Sequence, residues 1–497
     1  MTSLFRHASL YAIGNTLTTL ASLISFPILT RLLSVADYGL MNTVTLTLTM
    51  LVAVGKLGMQ RSTVRFYHEA RNSGASDSGA VFASTQVFGM FGAGVLVTLA
   101  WTATLALLPA NLLGSADLRH LLLLTSCLVL VRVVDSACTN LLYAEERSGI
   151  LSAYFVIKRY LALGAVIATL FLIAKNTASL FTATIAAEVV ALIGIASIAV
   201  SSNTMRPRYF SSDLFKRMVA FGLPMVGVEM AWSLLAVGDR YVIQHLMGEE
   251  SVGIYSASYN LCEYIKLSTM VAMSSAVAPM YMRMWEQEGR EATERFLSHF
   301  ARNYLAFSFL VATVLTANAL PLVTIVASPK YIAGTMIVPW VTFGMALESY
   351  VSIAAAGLFL KKKTLSIFWM IGGAAAVNIL LNYALIPVLG LSGAAIATLV
   401  TFAGLLATAL IAGRTELTIT FPTWTVLVCT LAFVASWFAS GFVASGSPWI
   451  DLVLRSAISA PLFAAITLGL DAKLRANVRE LAGNLWQRLP WRRRTDI

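Results

Sequence analysis

The sequence predicts an all-α membrane protein with about 14 transmembrane helices, built as two six-helix halves followed by two further helices. Three observations predict it. The 497 residues are 58% hydrophobic and only 12% charged, where a soluble domain carries about 25% charged residues. The apolar residues come in runs of about 20, the length that spans a roughly 30 Å hydrocarbon core at about 1.5 Å per residue. Basic residues gather in alternate loops, which gives the runs a consistent direction.

Taken in order, the first run, 10–33, is too long for a signal-peptide apolar region and has no small-residue cleavage site after it, so it reads as a membrane helix. Runs 40–57, 81–108, 118–143, 150–174 and 178–200 follow, separated by short polar breaks. The second set is 218–247, 252–282, 304–327, 336–360, 365–386 and 393–412, and the last two runs are 424–443 and 449–470. Strands of a membrane barrel would be about ten residues long with strict alternation. Pro27, Pro224, Pro279 and Pro321 fall inside these runs. Each removes a backbone hydrogen bond and can kink a span, and Pro224, after Phe221-Gly222-Leu223, marks a bend point in the seventh.

One side of the membrane receives Arg61, Arg65, Arg71, Arg147, Arg206, Arg208, Lys216 and Arg217, then Arg283 to Arg302, Lys361 to Lys363 and Arg414. The other side has isolated cations such as Arg119, Lys175 and Lys330. Both termini are therefore expected in the cytoplasm, and the net charge of +11 reflects topology rather than nucleic-acid binding. The opposite loops are too short for a folded external domain. The basic tail, 471–497, mixes cations with Leu481, Leu485, Trp486 and Trp491, which suits either an amphipathic helix on an anionic leaflet or a solvated segment. Cys127, Cys138, Cys262 and Cys429 lie in apolar runs with no metal-ligand spacing, so no metal or cofactor is expected.

The halves repeat at an offset of about 214 residues. Asp37-Tyr38-Gly39-Leu40-Met41 matches Ser251-Val252-Gly253-Ile254-Tyr255, and the charged turn Glu145-Glu146-Arg147 matches Lys361-Lys362-Lys363. Six spans per copy is even, so the copies enter the membrane alike and a site is expected between them near mid-depth. The domains follow: an N-lobe 1–205, a C-lobe 206–414, two spans within 415–470 and the tail.

Mid-span charges are the candidate site residues. Arg132 and Asp135 lie on span four, Glu188 on span six, Glu229 on span seven, Glu263 and Lys266 on span eight and Glu348 on span ten. Seven such groups facing lipid would cost on the order of 20 kcal/mol, so most must face a protein interior or a wet cavity. Arg132 with Asp135, and Glu263 with Lys266, stand at i, i+3 on one helix face and are expected to pair. Glu188, Glu229 and Glu348 lack such partners and can carry a proton or bind a cation in a transport cycle, or be neutral carboxyls hydrogen-bonded between helices. Asp239, Arg240 and Arg31 near outer span ends fit interface snorkelling or an exit vestibule for an anionic headgroup, with Lys56, Arg61 and Arg65 as a matching entrance. Asn15, Asn140, Asn378 and Asn382 suit sugar hydroxyls or helix–helix contacts.

Several segments resemble the polysaccharide-exporter family of oligosaccharide-lipid flippases, within the multidrug/oligosaccharidyl-lipid/polysaccharide exporter superfamily. They are Pro27-Ile28-Leu29-Thr30-Arg31-Leu32-Leu33-Ser34 with Asp37-Tyr38-Gly39, Gly222-Leu223-Pro224, Asp239-Arg240 with Gly253-Ile254-Tyr255, and Ile386-Pro387 with Gly390-Leu391-Ser392-Gly393-Ala394-Ala395 and Ala397-Thr398. The resemblance implies two pseudo-symmetric six-helix lobes in a V around a central cavity. It implies alternating-access export of an undecaprenyl-pyrophosphate-linked oligosaccharide repeat unit across the bacterial inner membrane, for O-antigen, capsule or exopolysaccharide, alongside the polymerase and chain-length proteins of such a pathway. Coupling to H+ or Na+ is part of that expectation, with Arg132, Lys266, Arg240, Arg31 and Asn378 toward substrate and Glu229, Glu263, Glu188, Glu348 and Asp135 as cavity carboxylates. Drug exporters of the superfamily often carry an acidic residue in span one, and 10–33 has none. Lipid II flippases tend to an arginine-rich cavity, whereas here mid-depth carboxylates outnumber cations. A membrane glycosyltransferase, polymerase or ligase would need acid–base or nucleophilic groups in substantial outer loops, so a transporter rather than an enzyme is expected.

Overall fold

The computed structural model describes residues 2–72, 77–108 and 115–487, and every regular element among them is helical. The first eight helices are α1 (Thr2–Leu32), α2 (Val35–Gly55), α3 (Met59–Asn72), α4 (Ser78–Leu107), α5 (Ala116–Thr125), α6 (Cys127–Ala144), α7 (Ser148–Leu172) and α8 (Thr177–Ser202). There follow α9 (Ser212–Met247), α10 (Glu249–Lys266), α11 (Ala272–Gln287), α12 (Gly289–Ala317), α13 (Ala319–Leu322), α14 (Val338–Ala354) and α15 (Ala356–Leu360). The chain ends with α16 (Thr364–Leu389), α17 (Leu391–Gly413), α18 (Thr423–Gly441), α19 (Pro448–Leu470) and α20 (Ala472–Gln487).

Among the described residues, thirteen helical segments are long and apolar enough to cross a membrane, and the protein is a multi-pass membrane protein. The fourteenth expected run, 252–282, is helical throughout, as α10, a π turn (Leu267–Val271) and α11. Its Glu249, Glu250, Glu263 and Lys266 keep α10 out of the purely apolar class. Span four breaks at Ser126 between α5 and α6. The polar segment after span two, expected as a loop, forms α3, whose apolar side lies against α4, α6 and α9. Of the tail, α20 is helical to Gln487. The expected roles of Leu481, Leu485 and Trp486 concern side chains outside the described ones, and Trp491 lies outside the described residues.

The chain forms two compact units, Met1–Ser256 and Ala257–Ile497. The first contains α1 to α9 and the start of α10. The second contains the rest of α10 and everything after it.

The internal repeat is visible atom by atom. In the first unit the N-terminal turns of α2 and α10 cross backbone to backbone. A Cβ on Gly39 would stand 2.1 Å from the Glu249 carbonyl oxygen, and one on Gly253 would stand 2.0 Å from the Val35 carbonyl oxygen. The same 214-residue offset relates Gly39 to Gly253 and Val35 to Glu249, so each glycine admits the equivalent residue of the other copy. Only a residue without Cβ allows that approach. The turns after α6 and α15 also match. Glu146 (φ 59°) and Lys362 (φ 54°) are both left-handed. Glu145 N donates to Leu141 O and Arg147 N to Leu142 O, as Lys361 N does to Gly357 O and Lys363 N to Leu358 O.

Candidate functional site

In the first unit, α6, α7 and α8 pack through a cluster of Cys138, Leu142, Leu151, Tyr154, Ala191, Ile195 and Ala199. Small residues on α8 let the helices approach closely, the usual means of helix association in lipid. One turn from this apolar layer the same helices present charge, so the packing that aligns the hydrocarbons also aligns the ions. Arg132 on α6 grips Glu188 on α8 through two oxygens, Nη2 to Oε1 at 2.8 Å and Nε to Oε2 at 2.9 Å. Asp135, one turn further along α6, receives the ammonium of Lys158 on α7 at 3.1 Å and the hydroxyl of Tyr154. Glu188 and Asp135 are buried, while Arg132 and Lys158 keep about a fifth to a quarter of their side chains exposed (24% and 21%).

The expected Arg132–Asp135 pair therefore does not form. Sequence spacing put the two groups on one face, but each finds a better partner across a helix–helix contact, where a fork-shaped guanidinium meets a carboxylate edge to edge. Lys158 and Tyr154 were not singled out in the sequence. Their signal was a second cation inside an apolar run, lying one turn beyond an aromatic hydroxyl.

The network extends further. Glu229 on α9 accepts from Gln60 Nε2 on α3 at 3.3 Å. Lys56, the residue closing α2, lies within electrostatic reach of Glu229, Asp135, Lys158 and Arg132. The region thus brings together three basic side chains (Lys56, Arg132, Lys158) and three acidic ones (Asp135, Glu188, Glu229).

The second unit carries a smaller and unbalanced cluster. Lys266, buried at the end of α10, sits 3.0 Å from Glu263 on its own helix and 3.0 Å from Glu348 on α14. The expected i, i+3 pair is present, and Glu348, read as unpartnered, joins it. One ammonium serves two carboxylates, and the π turn begins at the next residue. Such wide turns release the regular helical ladder locally and recur at functional sites.

The remaining candidates sit elsewhere. Arg240 and Asp239 are buried rather than lining an open vestibule: their side chains are 4% and 3% exposed, Arg240 Nη1 lies 3.2 Å from Asp239 Oδ1, and Tyr255 donates to Asp239 at 2.5 Å. Tyr255 on α10 covers Asp239, a contact that sequence position near a helix end does not reveal. Arg31 is exposed and donates to the Pro27 carbonyl at 3.0 Å. Asn378 is fully buried between α16 and α17, contacting Thr401 at 3.2 Å and receiving Asn382 at 3.0 Å. Asp37, in the first turn of α2, accepts from the Thr177 amide at 3.0 Å and its hydroxyl at 2.6 Å, and so ties down the start of α8.

Helices long and apolar enough to cross a bilayer, with charged side chains paired between them, define a polytopic membrane protein. A family profile described as polysaccharide biosynthesis protein matches residues 4–285, and the chain belongs to that family. Among solved structures, a lipid II flippase MurJ in an inward closed conformation superposes with a TM-score of 0.74 at 15% identity, covering 92% of this chain and 98% of that one. A transporter of the multidrug/oligosaccharidyl-lipid/polysaccharide exporter superfamily from Pyrococcus furiosus gives 0.58 at 14% identity, covering 83% and 94%. A multidrug resistance transporter of the same superfamily in an outward-facing conformation gives 0.54 at 15%, again covering 83% and 94%. Comparison with curated protein sequences returned no match.

Proposed function

We propose that the protein flips an undecaprenyl-pyrophosphate-linked oligosaccharide repeat unit across the bacterial inner membrane by alternating access, for surface polysaccharide assembly, with both termini in the cytoplasm. The observation that carries this reading is the charge network inside the first unit, together with membership of a polysaccharide biosynthesis family. Ionised groups inside a bilayer are costly and mark substrate or ion pathways. Arg132 and Lys158 are held by carboxylates, with Lys56 nearby. A pyrophosphate entering the network can take over those cations, and Glu188 or Asp135 then becomes available to a proton.

The Lys266–Glu263–Glu348 cluster carries one carboxylate more than it has cations and is the proposed seat of coupling. Lys266 already occupies the place between the carboxylates where Na+ would bind, which favours H+ over Na+. The protein does no covalent chemistry in this reading. The polymerase and chain-length proteins of the pathway act downstream on the exported unit. Export of lipid II is the second reading, favoured by the superposition on a lipid II flippase.

Deletion of the gene in a strain without a paralogue is the test. Loss of surface polysaccharide, with the lipid-linked unit accumulating on the cytoplasmic leaflet, is expected. Arg132→Gln or Glu348→Gln, made at normal abundance, should fail to restore it. Normal surface glycan in the deletion would overturn the proposal, and a specific loss of peptidoglycan precursor export would replace it with the second reading.

A further inference from the structure

Outside both charge clusters, the second unit has an open pocket of about 700 Å³ on the face where the basic loops gather. We propose that this pocket binds the phosphate of an anionic lipid headgroup. One wall is the first part of α12, residues 289–303, which precedes the apolar run 304–327. Positions 295, 299 and 302 recur there at helical spacing, so Arg295, His299 and Arg302 share one face. The opposite wall is the strap between α17 and α18, and Lys473 at the start of α20 closes the end.

The walls are tied in place. The Thr418 amide donates to Glu294 at 2.8 Å and the Thr420 amide to Ser298 at 3.0 Å, both from the strap to α12. Asn477 on α20 donates to Asn303 on α12 at 2.9 Å. The pocket is therefore a built concavity rather than a row of loose side chains.

Its charge is net positive. Glu294 is engaged by Arg290 at 2.8 Å, and among the described residues Arg295, Arg302 and Lys473 form no ion pair. Against these three cations and His299 stand Glu291 and Glu294, the latter bound to Arg290. Cations held in a pocket and engaged in no ion pair suit a phosphate, which guanidinium groups grip with two parallel bonds. The pocket also lies where the apolar part of α12 begins. A headgroup phosphate can reach it while its acyl chains stay in the bilayer, and basic pockets of this kind between membrane helices bind anionic lipids.

The test uses the full chain, purified in detergent and exchanged into nanodiscs of phosphatidylethanolamine with phosphatidylglycerol, then released for native mass spectrometry. The wild-type chain is expected to keep phosphatidylglycerol preferentially. Arg295→Gln/Arg302→Gln/Lys473→Gln should lower that retention by roughly tenfold or more, with an unchanged chromatographic profile showing that it folds. Glu291→Gln, which removes an opposing charge, should raise retention, and this arm stands even if the triple variant does not fold. Equal retention by the triple variant and the wild type would overturn the proposal. So would displacement of phosphatidylglycerol by millimolar inorganic phosphate, which would assign the pocket to a soluble phosphate instead. Neither readout depends on transport.

Discussion

The two units handle buried charge in opposite ways. The first spreads six ionised groups over α6, α7, α8, α9 and the α2–α3 turn, three of each sign, with Tyr154 and Gln60 as neutral partners. The second concentrates three groups on two helices, with Lys266 as the one cation for Glu263 and Glu348. A distributed network keeps a partner for nearly every charge when one member is lost. A triad with a single cation does not. In the proposed cycle the first arrangement would exchange partners with an entering anion, and the second would take up or release one proton.

The largest expected effect tests that asymmetry directly. Lys266→Met leaves two half-buried carboxylates facing each other and should cost up to about 3 kcal/mol, the low end of the penalty for orphaning a buried ion pair. Lys158→Met leaves Asp135 with the Tyr154 hydroxyl and should cost about 1–2 kcal/mol. Thermal unfolding of both variants in the same detergent compares them, and adding Glu348→Gln to Lys266→Met should recover most of the loss. Equal losses for the two lysine variants would erase the distinction between the units.

Next comes the feature the two copies share. Gly39→Ala and Gly253→Ala each place a methyl within about 2 Å of a backbone carbonyl. Neither clash can be relieved by rotating a side chain, so each should cost on the order of 3 kcal/mol. Matched losses in folded yield would sharpen the symmetry, and a defect in only one would break it.

A smaller effect is the coupling across α6 and α8. A double-mutant cycle of Arg132→Gln and Glu188→Gln on unfolding should give an interaction energy of roughly 1–3 kcal/mol. The Arg132→Gln and Asp135→Asn cycle should give clearly less, because those two groups do not pair.

The smallest effect lies at the surface, where the repeat diverges. Lys363 holds Glu416 at 2.6 Å, and this contact keeps the Glu416 carboxyl below the ordinary range. A carboxyl whose pKa is depressed on folding contributes stability above its unfolded value and loses it as pH falls through the folded one. The unfolding temperature should therefore drop slightly on mild acidification, and Glu416→Gln should remove that slight dependence. In the corresponding turn of the first copy the ion pair lies within the turn, Arg147 to Glu145 at 2.9 Å, and Asn203 also donates to Glu145 at 2.7 Å.

Hydropathy, run length and alternating basic loops were enough to read the spans. A helix rises a constant distance per residue and the bilayer has one thickness, so both quantities are local. The repeat was legible for the same reason: Gly39 and Gly253 stand 214 residues apart, and the charged turns at Glu146 and Lys362 stand 216 apart. The partners of the buried charges were not legible. Sequence spacing sees only the neighbours on one helix, so it found Glu263 with Lys266 but placed Arg132 with Asp135. Glu188, Lys158 and Glu348 arrive from other helices, brought within 3 Å or so by small residues and apolar layers that set interhelical distance and rotation. Those two parameters belong to the packed bundle, and only the tertiary structure decided them.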